Sequence, residues 1–129
     1  MFPKLIAVDM DGTFLDDHKT YDRKRFAALY QQLQARGVQF VVASGNQIYQ
    51  LRSFFTAFPD VLYLAENGAY YADATTKRFA HTFAPATARA VLDALMAIPE
   101  LKLTICAEHS AYIREREGAA FIAETQQYY

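Results

Sequence analysis

The sequence predicts an α/β fold built around a parallel sheet. Three short apolar runs, at residues 5–8, 38–43 and 61–65, each end in a polar loop, and the segments between them carry apolar residues at helical spacing. Strands that alternate with helices through short connections are typical of βαβ units with right-handed crossovers. The composition agrees, because 129 residues that are 53% hydrophobic and 21% charged are typical of a globular protein.

The first run, from Leu5 to Val8, is continuously apolar, which predicts a strand buried on both faces. The next segment predicts a helix whose core-facing side chains recur at helical spacing, namely Phe26, Leu29, Tyr30 and Leu33. Thr20 or Asp22 would cap the start of this helix and Gly37 would end it. A strand at 38–43, a helix marked by Ile48, Leu51 and Phe55 that ends before Pro59, and a strand at 61–65 complete the first half.

The second half predicts different elements. Tyr70 and Tyr71 and the run 79–83 would pair as a hairpin around a polar tip at 73–77. Residues 85–96 predict a helix with one apolar face, formed by Ala88, Val91, Leu92 and Leu95. Strands at 101–107 and 111–114, followed by a helix at 119–129, would make this half an αββα piece attached to the βαβαβ half.

Charge and cysteine content exclude several classes of protein. The 13 Lys and Arg against 14 Asp and Glu give a net charge of -1, so we expect no nucleic-acid or membrane partner and favour a small molecule. The start of the chain does not resemble a signal peptide, and no apolar stretch approaches a membrane span. The single cysteine, Cys106, excludes an internal disulfide, so we expect a reducing cytoplasm for the protein. Its position in a hydrophobic predicted strand predicts that its side chain packs in the core.

Polar groups follow all three predicted parallel strands, at 9–13, 44–46 and 66–68. Ligands of parallel sheets collect at the carboxyl ends of the strands, so we expect these groups to converge. Asp9 and Asp11 are two positions apart and need a compensating cation or proton, and with no His or Cys beside them a hard Mg²⁺ fits best. A solvated turn is the simpler alternative. An EF-hand loop does not fit, because Gly12 is at the wrong loop position.

The second polar group, Ser44-Gly45-Asn46, offers a hydroxyl and backbone N–H groups to an anion at a predicted helix start. Alone it could be an ordinary helix cap, but beside the two aspartates it predicts a phosphate site that faces a metal site. Asn67 also lies at a strand end that faces this site, although an Asn before Gly is equally typical of a turn. Lys19 and the basic residues at 23–25 are expected to form a solvated surface.

These residues carry a family resemblance. The segments DMDGTFL at 9–15, VVASGN at 41–46 and AENGA at 65–69 resemble haloacid dehalogenase-type phosphatases, and in particular the bacterial Cof-type sugar-phosphate phosphatases. The resemblance implies a Rossmann-like parallel-sheet core, of which residues 1–83 would be the N-terminal part. It implies that residues 84–129 are the start of an incomplete α/β cap of C2B type. The implied activity is Mg²⁺-dependent hydrolysis of sugar phosphates or similar small phosphomonoesters.

The resemblance also implies a role for each site residue. Asp9 would be the nucleophile that forms an aspartyl-phosphate, and Asp11 the general acid and then the general base. Asp11 would begin protonated, which a charged Asp9 and partial burial would favour. Mg²⁺ would bind the Asp9 carboxylate and the Asp11 carbonyl. The phosphate and substrate side of the site would comprise Gly12, Thr13, Ser44, Gly45, Asn46 and Asn67.

The sequence departs from the family pattern in three places. Asn46 stands where many relatives have an arginine, and neither the lysine of the third motif nor a GDxxND-like fourth motif occurs. We therefore expect an N-terminal fragment of a longer enzyme, whose activity on its own is in question. Apolar surface exposed in such a fragment would favour self-association.

Three other functions are considered. A non-catalytic remnant or interaction module of the same fold would keep the sheet without the chemistry. A response-regulator receiver domain would need an aspartate at the end of the third strand, where this chain has Ala65, Glu66 and Asn67. A phosphomutase of the same superfamily would share the motifs found here.

Overall fold

The computed structural model describes residues 3–126, which form two compact units. The first unit extends to Ala80 and the second begins at His81. The boundary predicted from the sequence lies a few residues later, after 83. The assignment of the units as a core and a cap stays a prediction.

The first unit contains a single five-stranded sheet. Its strands follow the order β1-β2-β3-β4-β5, with the first three parallel and the last two antiparallel. In chain order the elements are β1 (Leu5–Val8), a turn (Met10–Phe14), α1 (Arg23–Ala35), β2 (Gln39–Ala43), α2 (Ile48–Phe54), β3 (Leu62–Ala65), a short 3-10 turn (Glu66–Gly68), β4 (Tyr70–Ala72) and β5 (Lys77–Ala80).

Local chemistry sets the ends of α1. The Asp22 side chain accepts a hydrogen bond of 2.9 Å from the Arg25 backbone N–H. Of the two predicted candidates, Thr20 and Asp22, the N-cap is therefore Asp22. Gly37 follows the helix with a φ of 63°, a conformation that glycine adopts without strain. The predicted start and end of this helix are confirmed.

One buried aromatic cluster forms the core of the first unit. It joins α1 and α2 to β2 and β3 through Phe26, Tyr30, Ile48, Leu51, Phe55, Phe40, Val42 and Tyr63. Leu29 was predicted to face this core, but it is 47% exposed on α1. The core-facing stripe of α1 is therefore narrower than the apolar spacing suggested.

The prediction that β1 is buried on both faces was wrong. β1 is an edge strand that pairs only with β2, and Leu5 and Ile6 are 53% and 36% exposed. Burial of a strand depends on having neighbours on each side and face, and none of the residues 3–126 pairs with the outer edge of β1.

The second unit has the predicted αββα order. Its elements are α3 (Pro85–Met96), β6 (Thr104–Cys106), β7 (Ala111–Ile113), a 3-10 turn (Glu115–Glu117) and α4 (Ala119–Thr125), with β6 and β7 forming an antiparallel pair. Both strands are shorter than predicted, and the predicted end of the last helix, 127–129, lies outside the described residues.

Side chains in this part of the chain are more exposed than the sequence suggested. Cys106 was expected in a core but is exposed, and Val91 on α3 is 39% exposed. The predicted second hairpin strand ends at Ala80, so Phe83 lies beyond it and is 70% exposed. Within residues 3–126, no helix has the length and apolar character needed to cross a membrane.

Candidate active site

The candidate site lies where β1, β2 and β3 end. Val8 pairs with Val42, and Ala43 pairs with Leu64, so the three parallel strands finish at the same edge of the sheet. The polar groups predicted to converge follow these strands directly. The parallel register is thus what brings residues far apart in the chain to one place.

A tight turn presents the two aspartates. The Phe14 and Leu15 N–H groups donate to the Asp9 and Met10 carbonyls at 3.2 and 2.9 Å, which closes the chain into a turn whose central residues, Asp11 and Gly12, have non-helical backbone angles. Met10 is fully buried and anchors this turn. Gly12 has a φ of 69°, the left-handed conformation that a tight reversal requires.

Asp11 is held from two sides. Lys19 Nζ lies 2.5 Å from one carboxylate oxygen of Asp11, and Asn46 Nδ2 donates to the other at 2.8 Å. The second contact joins the loop after β1 to the loop after β2. Asn46 was predicted to lie on the substrate side of the site, and the structure places it directly against the second aspartate.

The expectation that Asp11 begins protonated is not met in this arrangement. The hydrogen bond from Lys19 lowers the pKa of Asp11 below its ordinary value, burial opposes this shift, and the hydrogen bond from Asn46 and the Lys19 charge add to the lowering. Both contacts favour the carboxylate form. A charged Asp9 and partial burial were the expected influences, but Lys19 outweighs the effect of burial.

Lys19 is the site residue that sequence reasoning missed. It was assigned to a solvated surface with the basic residues that begin α1. The chain turns back through Asp16, whose side chain accepts from the His18 and Thr20 N–H groups at 2.9 and 3.1 Å. Lys19 itself has a φ of 56°. The Asp16-x-x-Lys19-Thr20 pattern signals a turn, but nothing in it indicates where the lysine side chain points.

The loops after β2 and β3 are joined through their backbones. The Asn67 N–H donates to the Ser44 carbonyl and the Glu66 N–H to the Asn46 carbonyl, both at 3.2 Å. Ser44 is buried, and its hydroxyl oxygen accepts from the Asn46 N–H at 3.1 Å. These contacts fix the predicted phosphate-binding loop against the end of β3.

Gly45 and Asn67 lie in close contact. A Cβ at Gly45 would be 3.0 Å from Asn67 Oδ1, a distance shorter than nearly all real Cβ contacts. Glu66 and Asn67 both have positive φ values, 53° and 54°, which non-glycine residues adopt rarely and mainly at functional sites or turns. The absence of a side chain at Gly45 therefore allows Asn67 to face this loop.

Asp9 differs from Asp11 in the exposure of its side chain and in its contacts. It is exposed, and no described side chain pairs with its carboxylate. An exposed carboxylate suits Mg²⁺, which is typically held by one or two carboxylates with water and substrate oxygens. No group of three His, Cys, Asp or Glu side chains gathers in residues 3–126. Thr13 is exposed on the same turn.

Comparisons with known proteins match nearly the whole chain. The family of haloacid dehalogenase-like hydrolases matches residues 6–129. A relative from Escherichia coli, the 5-amino-6-(5-phospho-D-ribitylamino)uracil phosphatase YbjI, is 43% identical over 127 residues. That match covers 98% of this chain and 47% of the relative, so the chain spans about half the length of this protein.

Solved structures give the same result for the fold. SMU.1108c from Streptococcus mutans superposes with a TM-score of 0.91 at 27% identity, over 98% of this chain and 48% of the other. A haloacid dehalogenase-like hydrolase from Bacillus subtilis superposes with a TM-score of 0.77 at 22% identity, over 95% of this chain and 42% of the other. The second likeness supports the fold alone.

Proposed function

The chain belongs to the haloacid dehalogenase-like hydrolases, and from this premise we propose that its site binds Mg²⁺ and a small phosphomonoester and transfers the phosphoryl group to Asp9. The observation that carries the proposal is the contrast between the two aspartates of one turn. Asp9 is exposed without a side-chain partner, whereas Asp11 is held by Lys19 and Asn46. One carboxylate is thus available for attack, and the other is oriented for proton transfer.

In this proposal each residue has a defined task. The open Asp9 carboxylate attacks phosphorus, and the bond to the leaving oxygen breaks. Asp11 gives a proton to that oxygen and later takes one from the water that hydrolyses the aspartyl-phosphate. Because Asp11 favours the carboxylate form in the absence of substrate, it would take a proton from solvent water as the phosphate dianion approaches and draws Lys19 away.

The remaining residues would hold the phosphoryl oxygens. The Ser44 hydroxyl and the Gly45 N–H are the proposed donors, and Gly12 and Thr13 shape the turn that faces them. Asn46 and Asn67 border the substrate. Mg²⁺ would be held by the Asp9 carboxylate and the Asp11 carbonyl, and when bound it would neutralise charge on the phosphate.

The substrate class is part of the same proposal. We expect a phosphorylated sugar or similar small metabolite in a reducing cytoplasm, with no nucleic-acid or membrane partner. The Escherichia coli relative is a 5-amino-6-(5-phospho-D-ribitylamino)uracil phosphatase, which supports a small phosphorylated metabolite as the substrate class. The relative is about twice as long as this chain, so the proposal extends to the class of substrate and not to that particular compound.

The test is Mg²⁺-dependent hydrolysis of an aryl phosphate by the purified chain, together with mass analysis of the rapidly quenched protein. We expect phosphate release and one phosphoryl adduct on Asp9, both abolished in Asp9→Asn. Asp17→Asn, an exposed aspartate beyond the site, is the matched control and should retain both. Turnover that survives Asp9→Asn, or the absence of release and adduct alike, would contradict the proposal.

A second candidate is a non-catalytic binding module. It is favoured by the ion pair between Lys19 and Asp11, which lowers the pKa of the carboxyl group that the enzyme would need in its protonated form. Isothermal calorimetry with inorganic phosphate separates the candidates. Tight Mg²⁺-dependent binding that Asp9→Asn removes favours the enzyme, whereas weak binding that is indifferent to Mg²⁺ favours the module.

A further inference from the structure

Asn46 connects the three loops of the candidate site. Its side-chain Nδ2 donates to one carboxylate oxygen of Asp11 at 2.8 Å, which links it to the turn after β1. Its backbone N–H donates to the Ser44 hydroxyl oxygen at 3.1 Å, and its carbonyl accepts from the Glu66 N–H at 3.2 Å. The backbone of Asn46 is therefore fixed at the ends of β2 and β3, and its side chain reaches across to the acidic turn.

The two oxygens of the Asp11 carboxylate have different kinds of partner. One accepts from the carboxamide of Asn46, a partly buried residue with a short side chain. The other pairs with Lys19 Nζ at 2.5 Å, and the Lys19 side chain is 48% exposed. An exposed ion pair contributes little net energy, because solvent screens it and a long side chain must be ordered. The Lys19 contact is therefore the one that exchanges more readily.

The two contacts also differ in which form of Asp11 they suit. A protonated carboxyl group keeps one oxygen as an acceptor, so a neutral carboxamide can donate to the acid and to the carboxylate alike. An ammonium group pairs well only with the carboxylate. Asn46 can thus stay bound to Asp11 throughout a proton transfer, whereas Lys19 must leave its oxygen.

We propose that Asn46 is a positioning residue that keeps one oxygen of Asp11 occupied, so that the oxygen now paired with Lys19 is the one that exchanges the proton. The inference rests on the proposed phosphoryl transfer to Asp9, and it adds which Asp11 oxygen reacts and what orients it. A carboxyl group held at one oxygen presents the other in a fixed direction, which proton transfer requires. Asn46 therefore acts through Asp11 and needs no contact with the leaving group.

Both chemical steps use this same oxygen of Asp11. As an Asp9 oxygen bonds to phosphorus and the bond to the leaving oxygen breaks, the Asp11 proton passes to the leaving oxygen and an alcohol is released. In the second step water attacks phosphorus, one of its protons passes to Asp11, and the bond to Asp9 breaks to give inorganic phosphate. The cycle returns the proton to Asp11 and the free carboxylate to Asp9.

The test compares two aryl phosphates, with the full chain and Mg²⁺. The phenolate that leaves phenyl phosphate needs a proton, whereas dinitrophenolate is stable without one, so only the first substrate depends on the acid. Asn46→Leu keeps the number of side-chain heavy atoms but removes the donor. We expect it to lower kcat/KM for phenyl phosphate by about tenfold or more, and for dinitrophenyl phosphate by less than about threefold.

A second readout follows the phosphoryl adduct on Asp9. Because Asp11 also takes a proton from the attacking water, Asn46→Leu should slow hydrolysis of the adduct. Rapidly quenched samples with dinitrophenyl phosphate should then contain more adduct than the unsubstituted chain. Gln32→Leu is the matched control, because it removes a carboxamide from the exposed surface of α1, and it should change neither readout.

The outcomes separate this inference from the proposed function. An unsubstituted chain that forms no Asp9 adduct contradicts the transfer to Asp9, and the positioning role is then overturned with it. If the adduct forms, equal losses of kcat/KM for the two substrates in Asn46→Leu, or no loss for either, overturn the positioning role alone. Circular dichroism checks that the variants fold, and Asn46→Ala takes the place of Asn46→Leu if the latter does not.

Discussion

Replacing Phe14 with alanine tests whether the aromatic cluster holds the turn that carries Asp9 and Asp11. The centroid of the Phe14 ring lies within 5.9 Å of four other aromatic rings, those of Tyr21, Phe26, Phe40 and Phe55. Truncation of a buried phenylalanine costs about 3–5 kcal/mol of unfolding free energy. Phe14 is partly exposed, so we expect a loss near the lower limit, about 3 kcal/mol.

Urea unfolding measures this loss. The chain has nine tyrosines and no tryptophan, so circular dichroism and tyrosine fluorescence are the probes. With a denaturant dependence of about 1.5 kcal/mol per M, a loss of about 3 kcal/mol lowers the midpoint by about 2 M. The affinity for phosphate should fall as well, because the same ring closes the turn.

Phe79→Ala is the matched control. It removes the same atoms from the same compact unit, but Phe79 is 44% exposed, so we expect a loss of about 1 kcal/mol or less and unchanged phosphate affinity. Equal midpoint shifts in the two variants would refute the argument that the cluster around Phe14 holds the acidic turn.

Three further outcomes are expected. Burial raises the pKa of Tyr63 from 10.0 to about 12. The protonated Tyr63 phenol therefore contributes fully to the free energy of unfolding below pH 10, and this contribution is lost as the pH rises towards 12. Alkaline unfolding of Tyr63→Phe should lack this pH-dependent loss of stability. Asp22→Ala removes the hydrogen bond to the Arg25 N–H and should cost about 1 kcal/mol in thermal or urea unfolding. Gly45→Ala should displace Asn67, which lies 3.0 Å from the new Cβ; calorimetry should show weaker phosphate binding, and unchanged binding would mean that Asn67 does not border the ligand.

The fold could be predicted from the sequence wherever local chemistry decides it. The ends of β1 and α3 agree with the predicted ranges, since an apolar run and an initial proline define them. Burial could not be predicted in the same way. Leu5 and Leu29 fit an apolar pattern, yet their exposure depends on which elements pack on them. A pattern identifies a side chain suited to burial but not the neighbour that would bury it.

The site could be predicted as far as the backbone brings it together. Parallel pairing places the loops after three strands at one edge, so Asn46 contacts Asp11, and Asn67 contacts Ser44 and Gly45. The charge state of Asp11 could not be predicted, because Lys19 reaches it by a side-chain path from a loop with no regular period. Long flexible side chains are where sequence spacing carries least information.

The proposed ligand site depends on one face of the sheet of the first unit and not on the other. Phe40 and Val42 lie on the helical face, which packs against α1 and α2, and Leu5 lies on the opposite side, the second face. The loops that carry Asp9, Ser44 and Asn67 are fixed by backbone bonds at the strand ends and by the aromatic cluster of the helical face. Neither support includes the side chains of the second face. The site can therefore be formed independently of that face, and we expect Leu5→Lys to leave phosphate affinity within twofold. Loss of phosphate binding in Leu5→Lys, with its fold intact, would show that the site depends on the second face after all.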